Sequence, residues 1–163
     1  MEIKLQQIAT IRSPFCDLKN MPIQPNGAKE TYATIEFKKE FTEGLKDLDG
    51  FSHAYLIYYF HKVESHKLSV VPFNDKTHIP RGVFATRAPV HPNTIGLSVV
   101  ELVNVEENIV TIKGIDILDG TPLLDIKPYI ENFDKVYGEV RNGWMKSSNE
   151  EVSSMRSDER FIP

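Results

Sequence analysis

Apolar, β-branched and aromatic residues in this chain fall into short runs, each cut off by proline, glycine, asparagine or aspartate. That punctuation constrains the fold more than any other feature, because a chain broken so often cannot build long helices. Residues 2–11 (EIKLQQIATI), 31–37 (TYATIEF), 54–60 (AYLIYYF), 83–86, 95–105, 108–117 and 123–126 read as strands. The first closes at Arg12-Ser13-Pro14, since proline has no N–H to give a sheet ladder. After the second, Phe41, Leu45 and Leu48 recur at helical spacing and predict one short helix. Short strands separated by turns, with little helix, predict a mainly β barrel or sandwich.

The run at 54–60 is almost continuously apolar, which fits a strand covered on both faces or one lying in a subunit interface. Residues 62–81 are polar and read as a long loop. After Trp144 the sequence KSSNEEVSSMRSDERFIP is polar, and Ser148 and Glu151 have capping-box spacing for a short helix. The expected organisation is one domain over residues 1–145 and a polar tail over 146–163.

With 163 residues and 40% apolar content, the chain can bury one substantial core. Its formal net charge of -4 supplies no global attraction for nucleic acid, so any RNA contact needs a local basic patch. His78, Arg81 and His91, with Lys76 and Lys127, are the candidates for one, against the alternative of a solvated charged loop. A single cysteine, Cys16, excludes an internal disulfide framework and a cysteine-rich zinc site, as expected in a reducing compartment. No run is long and apolar enough for a membrane span and the first residues lack a signal-peptide pattern, so a soluble cytoplasmic protein is expected. The five histidines show no ligand spacing, and no metal is expected. No GxGxxG, GxSxG, P-loop or CxxC is present, which leaves other enzyme classes without a foothold.

Two stretches have the texture of a ligand site: residues 82–98 (GVFATRAPVHPNTIGLS) and 116–129 (DILDGTPLLDIKPY) interrupt strand-like sequence with loop-shaping and polar residues. Together with residues 8–15 (IATIRSPF) and 48–61 (LDGFSHAYLIYYFH), they resemble the signature of the TsaA-like family, whose characterised members are tRNA methyltransferases of the TrmO type. The resemblance covers most of residues 5–144. It implies a small antiparallel β-barrel with short peripheral helices that binds S-adenosylmethionine and works as a homodimer. The implied reaction is methylation of N6 of threonylcarbamoyladenosine in the tRNA anticodon loop. Characterised bacterial relatives carry an additional C-terminal domain, so a non-catalytic S-adenosylmethionine-binding protein or sensor stands as the alternative.

S-adenosylmethionine needs an apolar slot for adenine, acceptors for ribose hydroxyls and partners for its amino-acid end. Arg87 suits the methionine carboxylate, which a guanidinium fork grips bidentately, although it could equally tie down its own loop. Asp116 and Asp119 could accept hydrogen bonds from ribose or the amino group. Asp119-Gly120-Thr121-Pro122 is also a good turn sequence, and the resemblance makes Asp116 the better ligand candidate. The same alignment brings Gln24, Pro25, Asn26, His61 and Lys62 to the cofactor, with Leu97 and the backbone of Lys113, Gly114 and Ile115 flanking it. Ile23 stands where the family often has an arginine. A carboxylate placed against the sulfonium would stabilise the ground state more than the transition state, so the aspartates belong at the cofactor's periphery. The residues single out no catalytic base.

Overall fold

The computed structural model describes residues 1–17, 19, 21, 28–75 and 77–157. Its strands are β1 (Ala9–Arg12), β2 (Tyr32–Phe37), β3 (His53–Tyr59), β4 (Ser69–Val70), β5 (Arg81–Gly82), β6 (Ile95–Glu106), β7 (Ile109–Lys113) and β8 (Thr121–Pro128). Six of them close a barrel in the order β1-β2-β7-β6-β3-β8, while β4 and β5 pair separately. Each neighbouring pair in the barrel is antiparallel. The mainly β, barrel-type expectation therefore holds, with only short helices around it.

Alternation along the strands explains the barrel's interior. Ala33, Ile35 and Phe37 of β2, Ala54, Leu56 and Tyr58 of β3, and Val100 of β6 are buried, while their neighbours along the chain turn outward. Ile11, Ile35, Leu56, Ile112, Ile115 and Leu123 are fully buried together, each contributing roughly 1.5–3 kcal/mol of apolar burial. The run at 54–60 is thus buried on one face only. Its outward residues stand beside Ile95, Leu97 and Val99 of β6, which are exposed.

Several local expectations need correction. The first strand shrinks to Ala9–Arg12, because that is the stretch with a partner on each side. Residues 83–86 are not a strand: Val83–Ala85 is a 3-10 turn, pinned by Val83 packing on Val70 and Val90 and by the Thr86 hydroxyl donating to the Val83 carbonyl at 2.8 Å. The single helix near Phe41 is two 3-10 segments, Lys39–Leu45 and Leu48–Gly50, separated by Asp47 at φ 65°. The loop at 62–81 contains β4, paired to β5. Two short α-helices follow the barrel, α1 (Glu131–Asp134) and α2 (Asn149–Ser154). At the start of α2 the expected capping box forms in both directions: Ser148 N–H donates to Glu151 Oε2 at 2.9 Å, and Glu151 N–H to Ser148 Oγ at 3.2 Å. No helix among the described residues is long and apolar enough to cross a membrane.

Tyr58 and Gly96 face each other across the β3–β6 ladder. The Tyr58 ring lies over the glycine so closely that a Cβ at 96 would overlap its Cε2 and Cζ atoms and sit 2.8 Å from Cδ2. Gly96→Ala should therefore lower stability by about 1–3 kcal/mol in urea unfolding, the usual range for overpacking. In a Tyr58→Ala background that cost should fall close to zero; an undiminished cost would show that the ring is not the obstacle.

Candidate functional site

The ends of β1, β3 and β7 and the starts of β2, β6 and β8 lie at one rim of the barrel, as the registers Ile11↔Thr121, Tyr59↔Ile95, Tyr58↔Leu123 and Tyr32↔Lys113 require. That rim gathers His61 and Lys62 after β3, Arg87 and Leu97 around the start of β6, and Lys113 through Asp119 between β7 and β8. Gln24, Pro25 and Asn26, and also Lys76, lie outside the described residues.

At the centre of the rim is Asp116. Gly114, at φ 81°, turns the chain out of β7 in a left-handed conformation suited to glycine, and the fully buried Ile115 then anchors it. The residue that follows has its Oδ1 atom sealed from water and without a hydrogen-bond partner. Burial pushes the Asp116 carboxyl up to about 6, against its own backbone N–H, the Ser98 hydroxyl and the Arg87 charge, which pull it down. Ser98 is in turn 3.1 Å from the Tyr58 hydroxyl. Burial, and then the Asp116 charge, hold that phenol protonated well above its ordinary range. The Ser98 hydroxyl thus stands between the Tyr58 phenol and the carboxyl, while Oδ1 meets no donor.

The other predicted residues divide into those turned inward and those left open. Asp119 is occupied: its Oδ1 accepts the Ser13 N–H at 3.1 Å, its Oδ2 is 3.9 Å from Arg12 Nη1, and its N–H donates to the Phe15 carbonyl at 2.7 Å. With Ser13 Oγ donating to the Ile117 carbonyl at 2.6 Å, this ties the segment after β1 to the turn before β8. The Lys113 ammonium pairs with Glu30 at 2.8 Å, which raises its pKa, and its backbone sits in the ladder between Tyr32 of β2 and Glu101 of β6. Arg87, Leu97 and Lys62 are exposed. His61 is half-buried, and burial followed by the Lys62 charge lowers its pKa, so the imidazole is neutral near pH 7. Thr121 gives its hydroxyl proton to the Leu118 carbonyl at 2.7 Å, which makes the His61 Nδ1–H the donor in their 3.4 Å contact and leaves Nε2 an acceptor.

The expected basic surface is partly consumed by internal pairing. Arg81 Nε meets the buried Asp75 Oδ2 at 2.7 Å, Lys127 meets Asp125 at 2.8 Å, and the His91 ring is hydrogen-bonded to the Thr86 carbonyl at 3.2 Å. Among the described residues no group of three or more His, Cys, Asp or Glu side chains comes together as a metal site.

A model of the tRNA-methyltransferase O N-terminal domain matches residues 10–135, which takes in nearly the whole barrel and its rim. The chain belongs to this family. A Pyrococcus abyssi protein named "Probable S-adenosyl-L-methionine-binding protein" is 50% identical over 156 residues, 95% of this chain and 83% of its own length. The mouse protein named tRNA (adenine(37)-N6)-methyltransferase is 35% identical over 139 residues, 79% of this chain and 31% of its own length. The crystal structure of TrmO from Pseudomonas aeruginosa superposes with a TM-score of 0.72 at 39% identity, covering 88% of this chain and 62% of that one.

Sequence reasoning did not pick out Tyr58 or Ser98, although both lie inside stretches that carry the family resemblance. Tyr58 reads as one more aromatic in an apolar run. The usable signal is Gly96-Leu97-Ser98: small residues two apart in a strand share a face and leave room for one large side chain opposite.

The Asp116 carboxyl makes the site's cost to folding measurable. Its folded pKa of about 6 exceeds the ordinary 3.8, so its contribution is fully favourable below 3.8 and is lost as pH rises through about 6. Asp116→Asn, neutral throughout, should gain stability over the parent as pH rises from about 4 to about 6, levelling at no more than about 3 kcal/mol. Chemical denaturation across that range measures the gap. A gap independent of pH would mean that the carboxylate is not buried as described.

Proposed function

We propose that this chain is an S-adenosylmethionine-dependent methyltransferase acting in the cytoplasm on N6 of threonylcarbamoyladenosine in the tRNA anticodon loop. Membership of the tRNA-methyltransferase O family supports the class. The observation that carries the reading is the orphaned Asp116 Oδ1, a sealed acceptor in electrostatic reach of Arg87. A buried acceptor without a donor is unfavourable alone and is satisfied by a ligand bearing an amino or hydroxyl group, which suits this cofactor.

When bound, S-adenosylmethionine supplies an electrophilic methyl group on a sulfonium. The chain's residues then have separable tasks. Arg87 holds the methionine carboxylate, Asp116 accepts from the amino group or a ribose hydroxyl, and Leu97 with the 113–115 backbone flanks the adenosine. Lys62 completes the rim in this reading, Gln24, Pro25 and Asn26 are assigned to the cofactor by the family resemblance, and Asp119 serves by bracing the turn that presents Asp116. Rate acceleration comes mainly from alignment and exclusion of water. The neutral His61 Nε2 is the rim's available acceptor for the N6 proton.

The outward apolar ladder of β3 and β6, where Tyr59 faces Ile95, Ile57 faces Leu97 and Tyr55 faces Val99, supports a homodimer built on that sheet. One observation favours a second reading, a cofactor-binding protein without tRNA activity: the net charge is -4, and Arg81 and Lys127 are spent on internal carboxylates.

Nucleoside mass spectrometry of threonylcarbamoylated tRNA incubated with protein and cofactor should find a methyl gain on the modified adenosine. Binding without methyl gain would select the second reading. Arg87→Ala should weaken cofactor binding about 10- to 100-fold in calorimetry, the range for losing a charge-assisted bidentate contact. Unchanged affinity would remove Arg87 from the site. Val99→Glu should convert dimer to monomer in sedimentation, and an unaltered dimer would place the interface elsewhere.

A further inference from the structure

The segment after α1 lies beyond residues 10–135, where the family model ends, yet it is fastened to the loops of the rim. The Trp144 indole N–H donates to the Ala85 carbonyl at 2.7 Å. The Arg81 guanidinium carbon lies 5.6 Å from the centre of the same ring, within cation–π range. Arg81 is itself locked to Asp75, whose carboxylate also accepts the Thr77 N–H at 2.9 Å. Ser147 Oγ donates to the Asn74 carbonyl at 2.9 Å. Farther on, Ser157 and Met21 exchange hydrogen bonds, Ser157 N–H to the Met21 carbonyl at 2.8 Å and Met21 N–H to Ser157 Oγ at 2.9 Å.

Ala85 closes the 3-10 turn that leads to Arg87, and this turn belongs to no sheet ladder. Its order comes from the Val70, Val83 and Val90 cluster beneath it, from the contacts of Thr86, and from Trp144 on its flank. A loop held in its binding conformation before the ligand arrives loses less entropy on binding. We propose that Trp144 is a positioning residue for Arg87, and that the segment 142–147 is a strap that holds the Arg87 loop in the arrangement that binds the cofactor. This rests on the assignment of Arg87 to S-adenosylmethionine. It gives the start of the polar tail a task that its composition does not suggest.

Trp144→Phe keeps an aromatic ring for Arg81 and removes the N–H. Calorimetry with S-adenosylmethionine should give a dissociation constant raised about 2- to 10-fold, in line with losing one hydrogen bond and some loop order. In an Arg87→Ala background the same change should have almost no further effect, because Trp144 acts through Arg87. A loss that adds in full to that of Arg87→Ala, or affinity equal to the parent's, overturns the proposal. Linkage provides a test on the unaltered protein, decisive even where the variant fails to fold: a strap that promotes binding must itself be stabilised by the ligand. Amides of residues 142–147 should exchange at least about threefold more slowly in saturating cofactor, and unchanged exchange there overturns the strap. A parent chain that binds no S-adenosylmethionine sinks the cofactor assignment together with this proposal, whereas binding that is indifferent to Trp144 sinks the strap alone.

Discussion

The four residues Ala9–Arg12 pair with β2 on one side and the first three of them with β8 on the other, and this double pairing turns an open sheet into a barrel. Without it, β2 and β8 would each present an unpaired edge, and the interior positions of Ile11, Ile35 and Leu123 would open to water. So short a strand gains little from its own ladder. The closure is reinforced just beyond it, where the Asp119 carboxylate accepts the Ser13 N–H and the Ser13 hydroxyl reaches the Ile117 carbonyl. The segment that completes the barrel is thereby joined to the turn that presents Asp116, so fold closure and site geometry share the same contacts.

A carboxyl group whose buried oxygen has no partner is not a way to stabilise a fold. Asp116 follows the fully buried Ile115 and lies near the hydrogen-bonded pair of Tyr58 and Ser98, and the Tyr58 ring fits only because residue 96 has no side chain. Such local conflict, maintained by well-packed surroundings, is what a binding site requires: the unmet acceptor becomes favourable when a donor arrives. Asp119, three residues away and of identical chemistry, is fully engaged within the chain, whereas Asp116 keeps an oxygen without a donor.

The periphery follows a different logic from the barrel. The two-stranded ladder of β4 and β5, the small valine cluster and the tail lie outside the main core, and polar contacts carry much of their order: Arg81 with Asp75, Trp144 with Ala85, and Ser157 with Met21. Hydrogen-bonded loops of this kind are easier to rearrange than packed strands.

From the sequence alone, the strand alternation and turn punctuation determined a mainly β barrel or sandwich, while the ordered motifs pointed to the barrel, its family and the ligand stretches only through their resemblance to known proteins. Local chemistry sufficed there, since proline, glycine and period-two burial act over a few residues. The capping box at Ser148 and Glu151 was legible for the same reason. Tertiary structure decided what depends on partners distant in the chain. The run at 83–86 has strand composition, yet its Val83 packs on a separate cluster and the segment winds into a turn. Asp116 and Asp119 are indistinguishable by residue type; one meets Ser13, 106 positions away, and the other meets no donor at Oδ1. Tyr58, Ser98 and Trp144 take their roles from register and long-range contact, because burial and hydrogen-bond geometry arise only once the barrel has closed.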